Sequence, residues 1–485
     1  MQTKKDPLKP LSLYGLDRKE ALHDMLPVDS SKQNLEMRKT PLEDWISGKI
    51  GLPSGSDLSR EALGRYQLER LRTIIDYVVE KSPFYRERLG GAAGRDLRDL
   101  NDISSLPMTT ADDLRRNGPL FLCVSQTEVE RVVTLQGPGT DDAPRRVYFT
   151  ADDLELTVDF FSRGMTTLVS PGQRVLILMP GKTPGSVGDL LQKGLSRAGI
   201  RGIVHGLVSD PAETIREIVD KNIDCLVGIP TQVLALARHN LAAQIPAGRI
   251  SSVLLSADYV PSSLVRELRR AWGCRVFGHY GTTEMGLGGG VECEAFDGYH
   301  LREADLYFEI VDPDNGRPLP DGESGEIAFT TLTRRAMPLV RYRTGDLSRI
   351  RTEPCPCGTV LRRLAKVRGK VHEIVRLRSG DSLCISDLDE AVFSVPGIVD
   401  YVAVLSRASD IDRLELAVCP ASHDDPPEMD GILVRLSEVP AIARAVAADC
   451  LVLEPIRITS ETRVTTTAAK RAVVIKRVGE GASFK

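Results

Sequence analysis

At 485 residues, 42% of them hydrophobic and 27% charged, the chain can bury large cores and is not compositionally disordered. Its formal net charge of −4 is small for this length and argues against the basic face that nucleic acid or an anionic membrane requires. No apolar run approaches the ~20 residues that cross a bilayer, and the opening MQTKKDPLKPLSLYGLDRKE holds no hydrophobic signal core, so no membrane partner and a cytoplasmic location are expected.

Length alone suggests about three domains. Residues 1–55 are polar and punctuated by proline and glycine, and read as an N-terminal arm with one short helix in TPLEDWISGKI. After Ser59, the spacing of Leu68, Leu71, Ile75, Val78 and Val79 predicts an amphipathic helix that ends before Pro83. Thr110 and Asp113 predict a capped helix start. From Ser170 to Ala237 short β-branched runs alternate with helical patterns, which predicts a parallel sheet covered by helices. Sites in such sheets gather at the carboxyl ends of the strands, so Pro180-Gly181-Lys182-Thr183 and Gly228-Ile229-Pro230-Thr231 are candidate pocket loops. The unit repeats once more, with Asp258 in the loop after SSVLLSA.

DLYFEIVDP and GEIAFTTLT read as strands of an antiparallel meander, and the tail has a ferredoxin-like rhythm of strands and helices. The expected fold class is α/β: a large N-terminal domain, 56–369, of helix-covered mixed and parallel sheets, and a small, mobile α+β C-terminal domain, 370–485.

The chemistry concentrates between His279 and Asp346. Tyr280-Gly281-Thr282-Thr283-Glu284 offers a flexible turn, two hydroxyls and a carboxylate, suited to a polar ligand held against the backbone. Asp346 follows Gly345, where a carboxylate on a turn can accept two hydrogen bonds from a vicinal diol. The nine cysteines, odd in number and scattered, read as free thiols in a reducing compartment, with one exception. Cys355 and Cys357, joined to Cys293 and His300, would make three thiolates and an imidazole, a closed structural zinc set, if the meander returns to the same edge. The alternative is reduced, unliganded thiols.

YGTTE and RYRTGDL, in that order, resemble the two nucleotide-contacting motifs of the adenylate-forming superfamily of acyl-CoA synthetases. GEIAFTTLTRRAMPLVRYRTGDL, with SPFYRERL and LPMTTADDL upstream, resembles the phenylacetate-CoA ligase branch in particular. The resemblance implies an ATP-dependent ligase that activates a small aromatic carboxylic acid as an acyl-adenylate and transfers it to CoA. It implies that Ser256, Ala257, Asp258, Tyr280, Gly281 and Thr282 hold AMP, with Asp346 on the ribose, Thr283 at the α-phosphate and Glu284 near Mg²⁺. It further implies that a lysine swings onto the adenylate, Lys470 by best match and Lys476 by second, after rotation at a hinge. That hinge keeps Gly369 and Lys370 but has His372 where the family has aspartate. A homodimer is compatible with the resemblance.

The phosphate loop departs from the family's TSGTTGPPKR. Gly139, Thr140, Pro144 and Arg146 match, and Arg145 keeps the charge of a lysine. Pro138 removes a backbone donor, and Asp141 and Asp142 stand where phosphate oxygens are expected. Two unit charges ~7 Å apart at an effective dielectric of ~20 repel by roughly 2 kcal/mol. Two further readings therefore stay open at this stage: an adenylyltransferase with no CoA step, and a degenerate homologue that binds nucleotide or acyl-CoA without adenylation.

Overall fold

A computed structural model describes residues 37–53, 55–136, 144–407, 411–422, 424, 426–459 and 471–477. Its largest sheet has eight strands, in the order Arg363–Leu364, Tyr299–Leu301, Gly290–Glu292, Arg275–Tyr280, Ser252–Leu255, Cys225–Gly228, Arg174–Leu178, Arg201–Val204. The five from Arg275–Tyr280 onward are parallel, as the strand and helix alternation predicts. Helices Val187–Arg197, Pro211–Asp220, Pro230–Arg238 and Ser262–Trp272 return the chain between them. Because helices cover both faces, Val175, Leu176, Ile177 and Leu178 are all buried, and the strand reads as an unbroken apolar run.

The other three strands run antiparallel. Between Tyr299–Leu301 and Arg363–Leu364 the chain makes a separate antiparallel sheet, Leu306–Val311, Gly325–Thr331 and Tyr342–Ser348, before returning to pair Arg363 with His300. That return brings Cys355 and Cys357 back toward Cys293 and His300.

Helix Pro41–Lys49 begins at Thr40, whose hydroxyl caps it. It is part of the main core: Leu42, Trp45 and Ile46 pack in one cluster with Val158 and Phe160. Lys49 and Arg302 lie 2.8 and 2.7 Å from Asp305 carboxylate oxygens, tying this helix to the far end of the sheet. The next amphipathic run is helical over Arg60–Lys81 and restarts as Pro83–Arg88, Ser82 capping the second piece.

The C-terminal part pairs the antiparallel strands Ile398–Arg407 and Asp412–Pro420, with Val474–Arg477 added parallel to the first and Leu451–Leu453 parallel to the second. Its core runs on into that of the large sheet across helix Pro230–Arg238. Arg238 closes this seam by donating to the carbonyls of Phe393 at 2.9 Å and Val395 at 3.2 Å.

Candidate functional site

Strands Ser252–Leu255 and Arg275–Tyr280 end side by side, and the loops that follow them bring Ala257, Asp258, Tyr259 and Gly281 into one cleft, partly open to solvent. The opposite wall comes from Asp346, Val367 to Lys370 and Arg471. Gly281 is required by space: a Cβ there would stand 2.8 Å from the Leu287 carbonyl oxygen. Ala257 holds a left-handed φ of 77°, a conformation that costs an L residue roughly 1–2 kcal/mol and turns the loop into the cleft.

Asp346 is fully buried and accepts hydrogen bonds from Tyr280 Oη at 3.0 Å and Lys370 Nζ at 2.8 Å. Lys370 also donates to the Thr344 carbonyl at 2.9 Å. Burial works against the Lys370 ammonium, but Asp346 more than offsets it, so the group is held above its ordinary value. Burial and then Asp346 push the Tyr280 phenol well up, which keeps it a donor. The two ends of the stretch thus meet, with a third member, Lys370, that sequence reasoning placed only at the hinge.

Thr282 Oγ1 accepts from the Met285 amide at 3.3 Å and caps the short turn Thr283–Met285. Within that turn Glu284 is buried, with its carboxylate accepting from Arg145 Nε at 2.8 Å and Tyr342 Oη at 3.2 Å. Burial pushes this carboxyl up, yet Arg145, a backbone amide and Lys370 together outweigh it and leave Glu284 below its ordinary value, ionised. Arg145, which the resemblance places toward the phosphates, pairs with the Glu284 carboxylate. Ser256 Oγ bonds His279 Nδ1 at 2.8 Å, and burial brings that imidazole down to about 4, so it is neutral.

Gly139 and Thr140, with Pro138, Asp141 and Asp142, lie outside the described residues, as does Lys470. Lys476 sits on the strand Val474–Arg477, opposite Ser406. His372 is exposed in the turn Val371–Glu373, and a Cβ on Gly345 would lie 3.7 Å from its Nδ1, so the hinge abuts the turn that presents Asp346. The two proposed pocket loops are not part of the cleft lining. Thr231 is buried within helix Pro230–Arg238, and Gly181 serves close packing, where a Cβ would stand 2.4 Å from Val204. The reason is position: the cleft opens over the two strands nearest the antiparallel edge.

Arg471 was missed. Its Nε lies 3.4 Å from Asp258 Oδ2 and its Nη2 lies 2.6 Å from Asp389 Oδ2. The only signal was an arginine directly after the candidate lysine, and nothing in the sequence names its partners.

Beyond the cleft, Cys293, His300, Cys355 and Cys357 come together, their ligand atoms all within 4.8 Å of one another and all four residues buried. Cys293 Sγ and Cys355 Sγ are 3.6 Å apart, and Cys357 Sγ is 3.5 Å from His300 Nε2. Tetrahedral zinc, with Zn–S near 2.3 Å and Zn–N near 2.0 Å, requires ligand separations of roughly 3.5–3.8 Å. The residues fit the ion in donor type, number and spacing.

A profile of AMP-binding enzymes matches residues 196–332. A phenylacetate-coenzyme A ligase of Thermus thermophilus is 30% identical over 382 residues, 76% of this chain and 83% of that protein. The chain belongs to the phenylacetate-coenzyme A ligase family. As a member it is an AMP-forming acid–thiol ligase, which uses ATP to make an acyl-adenylate and then passes the acyl group to CoA. The family's fold is also that of a 2-hydroxyisobutyryl-CoA ligase in its postadenylation state, with a TM-score of 0.73 at 21% identity, covering 89% of this chain and 94% of that one. Against the same enzyme in its thioesterification state the TM-score is 0.61 at 21% identity, over 87% and 91% of the two chains. No helix among the described residues is long and apolar enough to cross a membrane.

Proposed function

We propose that this ligase activates a small aromatic carboxylic acid, and that the cleft over Asp346 is its AMP site. The observation that carries the reading is Asp346, buried at the cleft wall between Tyr280 and Lys370, a carboxylate of the kind that accepts two hydrogen bonds from a ribose diol. A carboxylate is a poor electrophile because its leaving group would be oxide; as a mixed anhydride with AMP it can be displaced by a thiol. In this reading Asp258 and Tyr280 flank the base, with Ser256 and Ala257 shaping that loop and Gly281 and Thr282 forming the floor. Thr283 meets the α-phosphate, Glu284 offers its ionised carboxylate to Mg²⁺, and Lys470 neutralises the charge that builds up as the acid attacks. Gly139, Thr140 and Arg145 belong to the phosphate end.

In this reading the described arrangement is the one that holds the adenylate before thioester formation. Rotation about Lys370 to His372 then admits CoA. The division into 1–55, 56–369 and 370–485, a homodimer and a cytoplasmic location belong to the same proposal. Limited proteolysis near residue 370 and sizing in solution test the first two.

Acid-dependent pyrophosphate exchange, measured across aryl and short-chain acids with and without CoA, tests the function. We expect exchange and thioester formation with an aryl acid. Exchange without thioester would move the assignment to an adenylyltransferase, and AMP binding with no exchange to a degenerate homologue.

A second reading rests on the thiol cluster: Cys293, His300, Cys355 and Cys357 hold a structural Zn²⁺. Bound, the ion would clamp the loop after Gly290–Glu292 to the turn before Arg363–Leu364. Metal analysis of the purified protein is expected to give one zinc per chain, and Cys355→Ser to lose most of it with a lower melting temperature. Undiminished zinc in that variant would remove Cys355 as a ligand.

A further inference from the structure

Arg471 is buried, 6% exposed, on the wall of the cleft. It bridges two carboxylates from distant parts of the chain: Asp258, in the loop at the end of Ser252–Leu255, and Asp389, in helix Ile385–Val392 of the C-terminal part. Asp389 is fully buried and accepts a second hydrogen bond from Tyr401 Oη at 2.5 Å. The guanidinium also lies over the rings of Phe393 and Tyr401, 4.8 and 5.2 Å from their centroids.

The next residue of the same helix grips the same loop from its other side. Glu390 accepts from Tyr259 Oη at 2.9 Å and from the Ser262 amide at 2.8 Å, which places an anion on the N-terminus of helix Ser262–Trp272. Desolvating three charges is a costly way to gain stability, because hydrophobic residues of similar volume often serve as well. What the cluster supplies is one geometry: it closes only when loop, helix and C-terminal segment are all in place. Arg471 leads into the strand Val474–Arg477, and Lys470 is its covalent neighbour, so fixing one limits the reach of the other.

We propose that Arg471 is a positioning residue, tying the segment that carries Lys470 to the nucleotide loop through Asp258 and to the C-terminal part through Asp389. Filling the nucleotide loop and docking the C-terminal part are then one coupled event. The proposal rests on the reading of Lys470 as the cation that meets the adenylate.

Amide hydrogen exchange of the full-length protein, with and without AMP, reads the coupling independently of turnover. In the wild type AMP is expected to slow exchange several-fold in residues 257–262 and also in helix Ile385–Val392. In Arg471→Met, and separately in Asp389→Asn, the loop should still respond while the helix response falls at least twofold, the remainder passing through Glu390. A helix response equal to wild type in both variants, or its absence in the wild type, overturns the proposal.

The half-reactions give the second readout. Acid-dependent pyrophosphate exchange and thioester formation from supplied phenylacetyl-adenylate are compared, and their ratio is expected to shift at least tenfold against exchange in Arg471→Met, with partial recovery in Arg471→Lys. A parallel fall of both half-reactions would reduce Arg471 to a structural residue. Failure of the wild type to catalyse exchange with any acid would instead strike the proposed substrate reading and leave the hydrogen-exchange result to decide the coupling.

Discussion

The cleft over Asp346 and the thiol cluster grow from overlapping stretches of chain and handle buried polar groups in opposite ways. In and beside the cleft three carboxylates already have a side-chain cation: Lys370 on Asp346, Arg471 beside Asp258, Arg145 on Glu284. If ligand groups displace Lys370 and Arg145, the site keeps its charges satisfied between turnovers and exchanges partners when ligand arrives, while Arg471 remains the tie between loop and C-terminal part. The cluster instead gathers three thiols and an imidazole, all buried, in a geometry that one tetrahedral ion would satisfy and hold. On the proposed roles, a site that turns over would be built from replaceable ion pairs, and a site that binds one ion would be built from closure.

The sharpest way to break this contrast is to remove Lys470, the cation proposed to act only during reaction. Lys470→Ala is expected to lower acid-dependent pyrophosphate exchange about 10²–10³-fold, the usual cost of losing one preorganised electrostatic group. AMP affinity, by calorimetry, should change little. A large loss of affinity would make Lys470 one more ground-state partner and blur the distinction.

Asp346→Ala should act the other way. Losing charge-assisted hydrogen bonds costs roughly 1.5–3 kcal/mol, so the dissociation constant for AMP is expected to rise about 10–100-fold. Unchanged affinity would mean that Lys370 and Tyr280 hold Asp346 for structural reasons alone.

Much of this was legible beforehand because it is local. The parallel sheet followed from apolar runs of strand length between helical periods, and the meeting of Tyr280 with Asp346 from two motifs in order. The thiol cluster needed only the assumption that the meander returns, which the pairing of Arg363 with His300 realises. Ion-pair partners were not legible. Nothing near Arg471 in sequence points to Asp258, 213 residues away, and Glu284 with Arg145 joins two motifs that were each assigned to the ligand. Side-chain pairing over such distances is decided by packing, and sequence pattern carries only the periodicity of the elements.

Upstream, Asp141 and Asp142 test whether the phosphate end shares the cleft's logic. If they face the triphosphate, Asp141→Thr combined with Asp142→Gly relieves a repulsion of roughly 2 kcal/mol per charge before salt screening. Screening over a Debye length of ~8 Å leaves about 1 kcal/mol per charge, so the Michaelis constant for ATP is then expected to fall about 10–100-fold. An unchanged value would show that the aspartates point away from the phosphates.

The smallest expected effect concerns Glu284. Its pair with Arg145 is buried, so Glu284→Gln, which keeps the hydrogen-bonding shape and removes the charge, should destabilise the protein by about 1 kcal/mol at neutral pH. The sign of the pH dependence follows from the depressed carboxyl. A group whose folded pKa lies below its unfolded value contributes fully above the unfolded value, here near 4.5, and loses that contribution as pH falls through the folded one. Melting curves from pH 7 downward should therefore show the gap between wild type and variant closing only below about 4.5. Saturating Mg²⁺ and ATP at neutral pH should widen it, because the ion then takes the carboxylate that Arg145 releases. A gap that ignores both pH and Mg²⁺ would mean that the pair is fixed scaffolding, and the view of the cleft's cations as stand-ins for ligand would fail at this residue.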